Sequence, residues 1–239
     1  MTILSAHGVS KSFIFKGSLS RVLKEIDFEL QEGEFVSIVG ASGCGKTTLL
    51  GLLAGITMPD SGSIRYTDEE ITGKTGYLGY MPQDDLLFPW LKVIDNLLLP
   101  ARVKGRNIKE ERGKAYSLLP VFGLQNYADY LPWQLSGGLR QRVALARTCM
   151  TGSKVWLLDE PLANLDALTR NALQDWIASI VKRLNLSVLL VTHDIDEALK
   201  LSDRIQVMKD GMFSDNINID RNANEQYIKD LSFTIRSLL

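Results

Sequence analysis

Residues 40–48, GASGCGKTT, fit the phosphate-binding pattern G-x-x-x-x-G-K-[ST]. The apolar run FVSIV precedes them and a helical pattern follows, which is the context that this pattern requires. The glycines allow backbone N–H groups to turn toward one anion, Lys46 would neutralise the β- and γ-phosphates of a nucleotide, and the Thr47 hydroxyl would bind Mg²⁺. The predicted phosphate-binding residues are Gly40, Ala41, Ser42, Gly43, Cys44, Gly45, Lys46, Thr47 and Thr48.

Two acidic residues follow a second apolar run, VWLL, whose pattern predicts a buried strand. Asp159 would hold Mg²⁺ at the end of that strand. Glu160 is in position to accept a proton from an attacking water, which requires a positioned base. The alternative is that one of the two carboxylates only caps the next helix.

His193 and Gln83 also follow apolar runs. His193 ends the segment VLLVTH, and the ends of parallel strands are where ligands bind in sheets of this kind. We expect it to hydrogen-bond the γ-phosphate and orient the water, with Asp194 as the N-cap of the next helix; a structural histidine is the alternative. The Gln83 amide would contact Mg²⁺ or the water without adding charge, although one glutamine alone is weak evidence.

A second glycine-containing segment, LSGGLRQR at residues 135–142, raises a problem of stoichiometry. Ser136, Gly137 and Gly138 open a helical pattern, and the N–H groups and dipole at a helix N-terminus favour an anion. The first segment already surrounds the phosphates of one nucleotide. Two copies arranged head to tail would resolve this, because each copy would then close over the ATP held by the other.

Composition limits the class of protein. The chain has 239 residues, 45% of them apolar, which is enough for one domain with a subdomain. Its net charge of −1 gives no general attraction to nucleic acid. The N-terminus lacks the pattern of a secretion signal, and apolar runs such as LLGLLAGI are shorter than the roughly 20 residues of a membrane span. We therefore expect a cytoplasmic chain, with Cys44 and Cys149 as free thiols.

Strands alternate with helices along the chain, which predicts an α/β fold with a mostly parallel sheet. The predicted strands lie at 22–30, 35–40, 63–66, 76–83, 154–160 and 187–192, with a hairpin at 203–215 that turns at KDG. The predicted helices lie at 46–56, 93–105, 108–124, 138–150, 167–184 and 194–202, with another from residue 223.

Taken together, these motifs resemble those of the ATP-binding cassette (ABC) ATPases. GASGCGKTT, the glutamine of MPQDD, LSGGLRQR, VWLLDEP, NLDA and VTHD occur in that family's order, and the resemblance covers nearly the whole chain. It implies one domain over 1–239. A P-loop NTPase core with an antiparallel β subdomain would occupy 1–83 and 154–239, and a helical subdomain carrying LSGG would occupy 84–153.

The resemblance also implies roles for further residues. Two copies would form a sandwich that hydrolyses ATP at both composite sites. An aromatic residue upstream of the phosphate loop would stack on adenine, and Phe13 matches that position best, with Phe15 as the second choice. Residues 163–166 match the segment in which Asp166 would help couple the two sites. Leu139 departs from the family pattern, which most often has glutamine there, and RTCMTGSK departs from an alanine-rich helix end.

The family's importers have separate ATPase chains, and this chain looks most like those for nitrate, sulfonate, taurine and thiamine precursors. The expected partners are an integral membrane permease, a second ATPase subunit and, indirectly, a solute-binding protein, at the cytoplasmic face of the membrane and without nucleic acid. LLFPW, residues 86–90, would either receive a permease helix or pack the helical subdomain. The alternatives are a soluble ABC ATPase that acts on nucleic acid or ribosomes and, less consistent with LSGG, a P-loop kinase.

Overall fold

Two sheets and eight α-helices make up the fold in the computed structural model, which describes residues 1–15, 17–163 and 165–239, with only the backbone of Phe15. The strands are β1 (Thr2–Phe15), β2 (Ser18–Gln31), β3 (Phe35–Val39), β4 (Ser61–Tyr66), β5 (Glu69–Glu70), β6 (Gly79–Met81), β7 (Val155–Asp159), β8 (Ser187–Thr192), β9 (Arg204–Lys209) and β10 (Met212–Asn218). The helices are α1 (Lys46–Leu53), α2 (Val93–Leu97), α3 (Leu99–Val103), α4 (Ile108–Val121), α5 (Gly137–Cys149), α6 (Ala167–Leu184), α7 (Ile195–Leu201) and α8 (Glu225–Leu238).

The larger sheet positions the predicted chemistry. Its strand order is β10-β9-β3-β8-β7-β6, and every neighbouring pair is parallel except β9 and β10. All residues of β3, β7 and β8 are buried, which is why these strands read as continuous apolar runs. Their carboxyl ends therefore lie at one edge of the sheet, and the segments that begin at residues 40, 160 and 193 leave from that edge. The prediction of a mostly parallel α/β sheet is confirmed.

A four-stranded antiparallel sheet of order β2-β1-β4-β5 lies beside it. The sequence pattern predicts no strand before residue 22, and this prediction is wrong because β1 spans 14 residues there. The pairing of β1 with β2 shifts register between Ala6 and Val9 and again between Lys11 and Ser12. Such irregularities interrupt the alternation of apolar and polar residues by which a half-buried strand is recognised. The short β5 was also not predicted.

Three predicted helices end or break earlier than expected. The helix predicted at 93–105 is two short helices, because Pro100 has no N–H to donate to the preceding turn. α1 ends at Leu53, before Gly55, which has a φ of 73°. α4 ends at Val121 rather than at residue 124. The helices α2 to α5 all lie between β6 and β7 along the chain, and the division into subdomains at residues 84 and 153 stays a prediction.

Buried apolar side chains cover both faces of the larger sheet. One cluster joins it to α2, α4, α5 and α6, and its largest side chains, Phe122 and Trp156, are almost completely buried. A second cluster joins the other face to α1 and to the antiparallel sheet. Within the described residues, no helix has both the length and the hydropathy that crossing a bilayer would require.

Candidate active site

A pocket of about 560 Å³ opens at the carboxyl edge of the larger sheet and combines residues from distant parts of the chain. The phosphate-loop residues meet Gln83, Glu160 and His193 there, as the sequence predicts. Val22 of β2 also lines the pocket and was not predicted, because its proximity to Gly45 results from tertiary packing. The lining residues are Phe13, Val22, Ser42, Gly43, Gly45, Lys46, Thr47, Thr48, Gln83, Glu160 and His193.

The loop before α1 has the geometry of an anion site. Gly45 is the N-cap of α1 and has a φ of 113°, which a residue with a side chain rarely adopts. Because glycine has no side chain to cap the helix, the first N–H groups of α1 stay available to a ligand. Lys46 Nζ donates to the carbonyl oxygens of Gly40 (2.8 Å) and Ala41 (2.9 Å), so its ammonium group is held beside the loop.

Asp159 and Thr47 form the oxygen-rich side of the site. Thr47 Oγ1 donates a hydrogen bond of 3.3 Å to Asp159 Oδ1. Asp159 is only 2% exposed, and burial raises the pKa of its carboxyl group. A buried carboxylate next to a hydroxyl is a donor set that suits Mg²⁺, whose charge would also offset the cost of burying the anion. The residues present therefore fit the cation that the phosphate-binding pattern implies.

Glu160 has two polar neighbours and an unusual backbone. His193 Nδ1 lies 3.0 Å from Glu160 Oε2, and Gln83 Nε2 donates to the same oxygen over 3.5 Å. The φ of Glu160 is 44°, in the left-handed region, and its N–H donates to the carbonyl of Val191 on β8. Backbone conformations of this kind are costly and occur preferentially at functional sites. The strand ends thus bring together the carboxylate, imidazole and amide that the sequence predicts.

Phe13, on β1, lines the same pocket although it is far from these groups in the sequence. Its ring is 43% exposed, and Lys11 Nζ lies 5.5 Å from the ring centroid. Lys11 is itself held by an ion pair with Asp60 at 2.9 Å. The face of an exposed ring beside the phosphate loop is suited to stacking on a base. The side chain of Phe15, the second choice, lies outside what the structure describes.

The second glycine segment lies elsewhere. Ser136 is the N-cap of α5, and its Oγ accepts from the N–H of Leu139 over 3.4 Å. A Cβ at Gly138 would approach Thr169 Cγ2 to 2.8 Å, so any larger residue here would require the Thr169 side chain to shift. None of the residues 136–138 is among the described residues that line the pocket of the same chain.

Asp166 and Leu139 both make contacts within their own chain. Asp166 is the N-cap of α6, and its Oδ1 accepts from the N–H of Thr169 over 3.0 Å. It does not line the pocket, so its coupling role stays a prediction, and Asn164 beside it lies outside the described residues. Leu139, the departure from the family pattern, packs partly buried against the core. The predicted N-cap Asp194 is confirmed for α7, and both cysteines are free.

A sequence profile described as "ABC transporter" matches residues 23–163. The chain belongs to the ABC transporter family. It is 40% identical to the taurine import ATP-binding protein TauB of Pseudomonas aeruginosa, over 87% of this chain and 79% of that protein. It is 42% identical to the formylaminopyrimidine import ATP-binding protein ThiZ of Halalkalibacterium halodurans, over 81% of this chain and 75% of that protein.

A solved structure of a dimeric bacterial ABC transporter cassette has the same fold. Its TM-score is 0.80 at 29% identity, and the match covers 91% of this chain and 99% of that one. The present protein is thus an ABC transporter ATPase that binds and hydrolyses ATP. A P-loop kinase is excluded as its class.

Proposed function

We propose that two copies of this ABC transporter ATPase close head to tail over two ATP molecules and drive import of a small solute through a separate membrane permease. Each composite site would combine the pocket of one copy with residues 136–138 of the other. The complex would lie at the cytoplasmic face of the membrane, with a solute-binding protein acting indirectly and with no role for nucleic acid.

One observation carries this proposal. The N-terminus of α5 is exposed at Ser136 and, within the described residues, does not line the pocket of its own chain. A helix N-terminus with free N–H groups favours an anion, so residues 136–138 are suited to a phosphate held by another copy. A second copy related by twofold symmetry would supply that phosphate and receive the same contact in return.

Within each site, we assign roles by contact. Lys46 and the loop of residues 40–48 would bind the phosphates, and Thr47, Gln83 and Asp159 would hold Mg²⁺. Bound there, the cation would offset the charge of the β- and γ-phosphates. Glu160 would accept the proton of the attacking water. His193, whose Nδ1 lies 3.0 Å from Glu160 Oε2, would hold that carboxylate and, as the sequence predicts, hydrogen-bond the γ-phosphate and orient the water.

Phe13→Ala is expected to weaken ATP binding by about 10-fold or more, because stacking of a base on an aromatic ring is worth about 1–3 kcal/mol. Phe13→Tyr keeps the ring and should bind ATP as the wild type does. Equilibrium binding of a fluorescent ATP analogue measures the effect. Ile14→Ala, a change at the neighbouring exposed residue of β1, is the control; equal affinities of the two alanine variants would exclude adenine stacking on Phe13.

The segment that follows Gln83 is suited to a permease contact. Leu87 is buried and packs the core, whereas Leu86, Phe88 and Trp90 are exposed by 59%, 42% and 72%. The rings of Phe88 and Trp90 are stacked with centroids 5.2 Å apart. The packing expectation for LLFPW is thus met by Leu87, and we propose the permease contact for Leu86, Phe88 and Trp90. An apolar surface of rigid aromatic side chains is typical of the groove that receives a helix.

Polar contacts hold the backbone of this segment. The fully buried Asn96 accepts from the N–H of Phe88 (2.8 Å) and donates to the Leu91 carbonyl (3.0 Å). From α5, Arg147 donates to the Leu86 carbonyl over 2.7 Å, and Arg140 binds the Asp85 carboxylate at 3.1 Å. The exposed aromatic rings thus sit on a backbone that is held from two sides.

Trp90→Ala is expected to reduce recovery of the permease several-fold, because interface tryptophans are frequent hot spots of about 2 kcal/mol or more. The tagged ATPase is purified from detergent-solubilised membranes of its own cells, and the integral membrane protein that co-purifies with it is quantified. Phe233→Ala removes an equally exposed aromatic ring on α8 and serves as the control. Equal recovery with both variants would remove this surface from the proposal. Nucleic-acid-stimulated hydrolysis without any membrane partner would favour the alternative, a soluble ABC ATPase acting on nucleic acid or ribosomes.

The solute is proposed by similarity only. TauB and ThiZ are named for import of taurine and of formylaminopyrimidine. A small solute of this kind, either an anion such as nitrate, a sulfonate or taurine, or a thiamine precursor, is the class that we propose for the present transporter.

A further inference from the structure

The turn that carries His193 is closed by three hydrogen bonds among its neighbours. Thr192 Oγ1 accepts from the N–H of Asp194 over 3.0 Å and donates to the carboxyl group of Glu197. Asp194 Oδ1 in turn accepts from the N–H of Glu197 over 3.1 Å. Because Glu197 is on α7 and Thr192 ends β8, this ring of three hydrogen bonds fixes the backbone on both sides of His193.

Arg170 of α6 connects that ring to another loop. Its Nη1 donates to Asp194 Oδ2 over 3.5 Å, and its Nη2 donates to the carbonyl oxygen of Leu165 over 3.0 Å. Leu165 precedes Asp166, the residue expected to help couple the two sites. One guanidinium group therefore bridges Leu165 and the turn of His193.

A small cavity lies between these groups. Its volume is about 20 Å³, which is enough for one water molecule, and Glu160, Arg170, Thr192, His193 and Glu197 are among its lining residues. Glu197 is only 4% exposed, and its Oε1 has no hydrogen-bond partner in the described part of the chain. Arg170 Nε is also buried and has no hydrogen-bond partner within the described residues.

A buried water is bound where a cavity of this size lies beside buried polar atoms that lack a partner. Glu197 Oε1 and Arg170 Nε belong to two of the residues that line this cavity. Burial raises the pKa of Glu197 to about 7. A water serves either protonation state, because it donates to a carboxylate and accepts from a carboxylic acid.

We propose that Arg170 and Glu197, bridged by a water in this cavity, are positioning residues that transmit the placement of Leu165 and Asp166 to His193 and Glu160. The inference rests on the proposed roles of His193 and Glu160. Neither Arg170 nor Glu197 would contact ATP. The chain of contacts runs from the Leu165 carbonyl through Arg170 and Asp194 to His193, and from His193 Nδ1 to Glu160 Oε2.

Arg170→Met tests this with a readout that does not depend on activity. The variant keeps the aliphatic stem and loses the forked donors. The chain has only two histidines, His193 and His7, so the ring signals in ¹H–¹⁵N spectra are easily assigned. We expect the His193 signals to shift and broaden in the nucleotide-free protein, while those of His7, which lies on the antiparallel sheet, stay in place. Arg183→Met, an exposed position in the last turn of the same helix, is the control and should leave both unchanged.

Steady-state ATP hydrolysis gives the second readout. We expect kcat of Arg170→Met to fall about 10-fold with KM for ATP within about twofold, because displaced catalytic groups affect the chemical step more than binding. Glu197→Gln keeps an acceptor for Thr192 but alters the group that faces the water, and it should act in the same direction. The double variant should be no slower than the slower single variant, since both changes break one bridge.

The outcomes separate this inference from the function that it extends. If Arg170→Met matches Arg183→Met in both the His193 spectrum and kcat, the positioning role is wrong even though ATP hydrolysis is normal. Additive losses in the double variant would also overturn the shared bridge. A wild-type protein without ATP hydrolysis, or a Glu160→Gln variant with normal turnover, would instead contradict the proposed site.

Discussion

Glu160→Gln is expected to leave ATP binding intact and to lower the hydrolysis rate by about 100-fold or more, the usual contribution of a general base. The amide has nearly the shape of the carboxylate but cannot accept the proton of the attacking water. The contacts of Lys46 with the loop carbonyls and of Thr47 with Asp159 do not involve Glu160, so phosphate binding should survive. Single-turnover hydrolysis and equilibrium ATP binding measure the two effects separately.

The same variant should accumulate as a dimer in the presence of ATP, because the step that releases the two copies no longer occurs. Size-exclusion chromatography with and without ATP shows this directly. Glu32→Gln, at an exposed turn, is the matched control and should hydrolyse ATP at the wild-type rate and elute as the wild type does. Near-normal turnover of Glu160→Gln would mean that another group accepts the proton.

A mixture of Lys46→Ala chains and Ser136→Arg chains is expected to recover activity that neither has alone. The first variant damages both phosphate loops of its homodimer, and the second damages both of the opposing α5 N-termini. In the mixed dimer, the intact loop of one chain meets the intact N-terminus of the other, so one of the two sites is complete. Random pairing should then restore about a quarter of the wild-type sites.

Nucleotide trapping with vanadate, measured over a series of mixing ratios, gives the test. Trapping should be highest near equal amounts of the two chains and should fall toward zero at either end. Mixing two batches of the same variant controls for concentration. A mixture that traps no more nucleotide than its parents would contradict the head-to-tail arrangement, whereas a parent that is active alone would show that the substitution leaves its site functional.

The catalytic edge of the sheet could be predicted because it depends on local signals. FVSIV, VWLLD and SVLLVT are fully buried strands, and a buried parallel strand is a run of apolar residues with no alternation to interpret. Once the strands are parallel, their carboxyl ends must share one edge, so Glu160 and His193 had to lie near the phosphate loop.

The parts that could not be predicted depend on contacts between distant segments. The register shifts of β1 hide its strand pattern, and the approach of Val22 to Gly45 has no signal in either segment. Arg170 and Glu197 look like ordinary charged positions on two helices, and their common cavity appears only when α6 and α7 pack together. In RTCMTGSK, the segment that departs from the family pattern, Arg106 donates to the Met150 and Thr151 carbonyls; backbone carbonyls accept whatever the side chain, so the structure does not explain this departure.

The two arginines that contact the loop after Gln83 belong to α5, the helix whose N-cap is Ser136. Arg140 and Arg147 lie about two turns apart on α5. Arg140 forms an ion pair with Asp85, and Arg147 donates to the carbonyl oxygens of Asp85 and Leu86. α5 therefore links the segment 86–90 to the glycine segment 136–138. In the proposed complex, a displacement of Trp90 by the permease would move Ser136 relative to the nucleotide of the opposing copy, so that permease movement and ATP hydrolysis would be coupled through one helix.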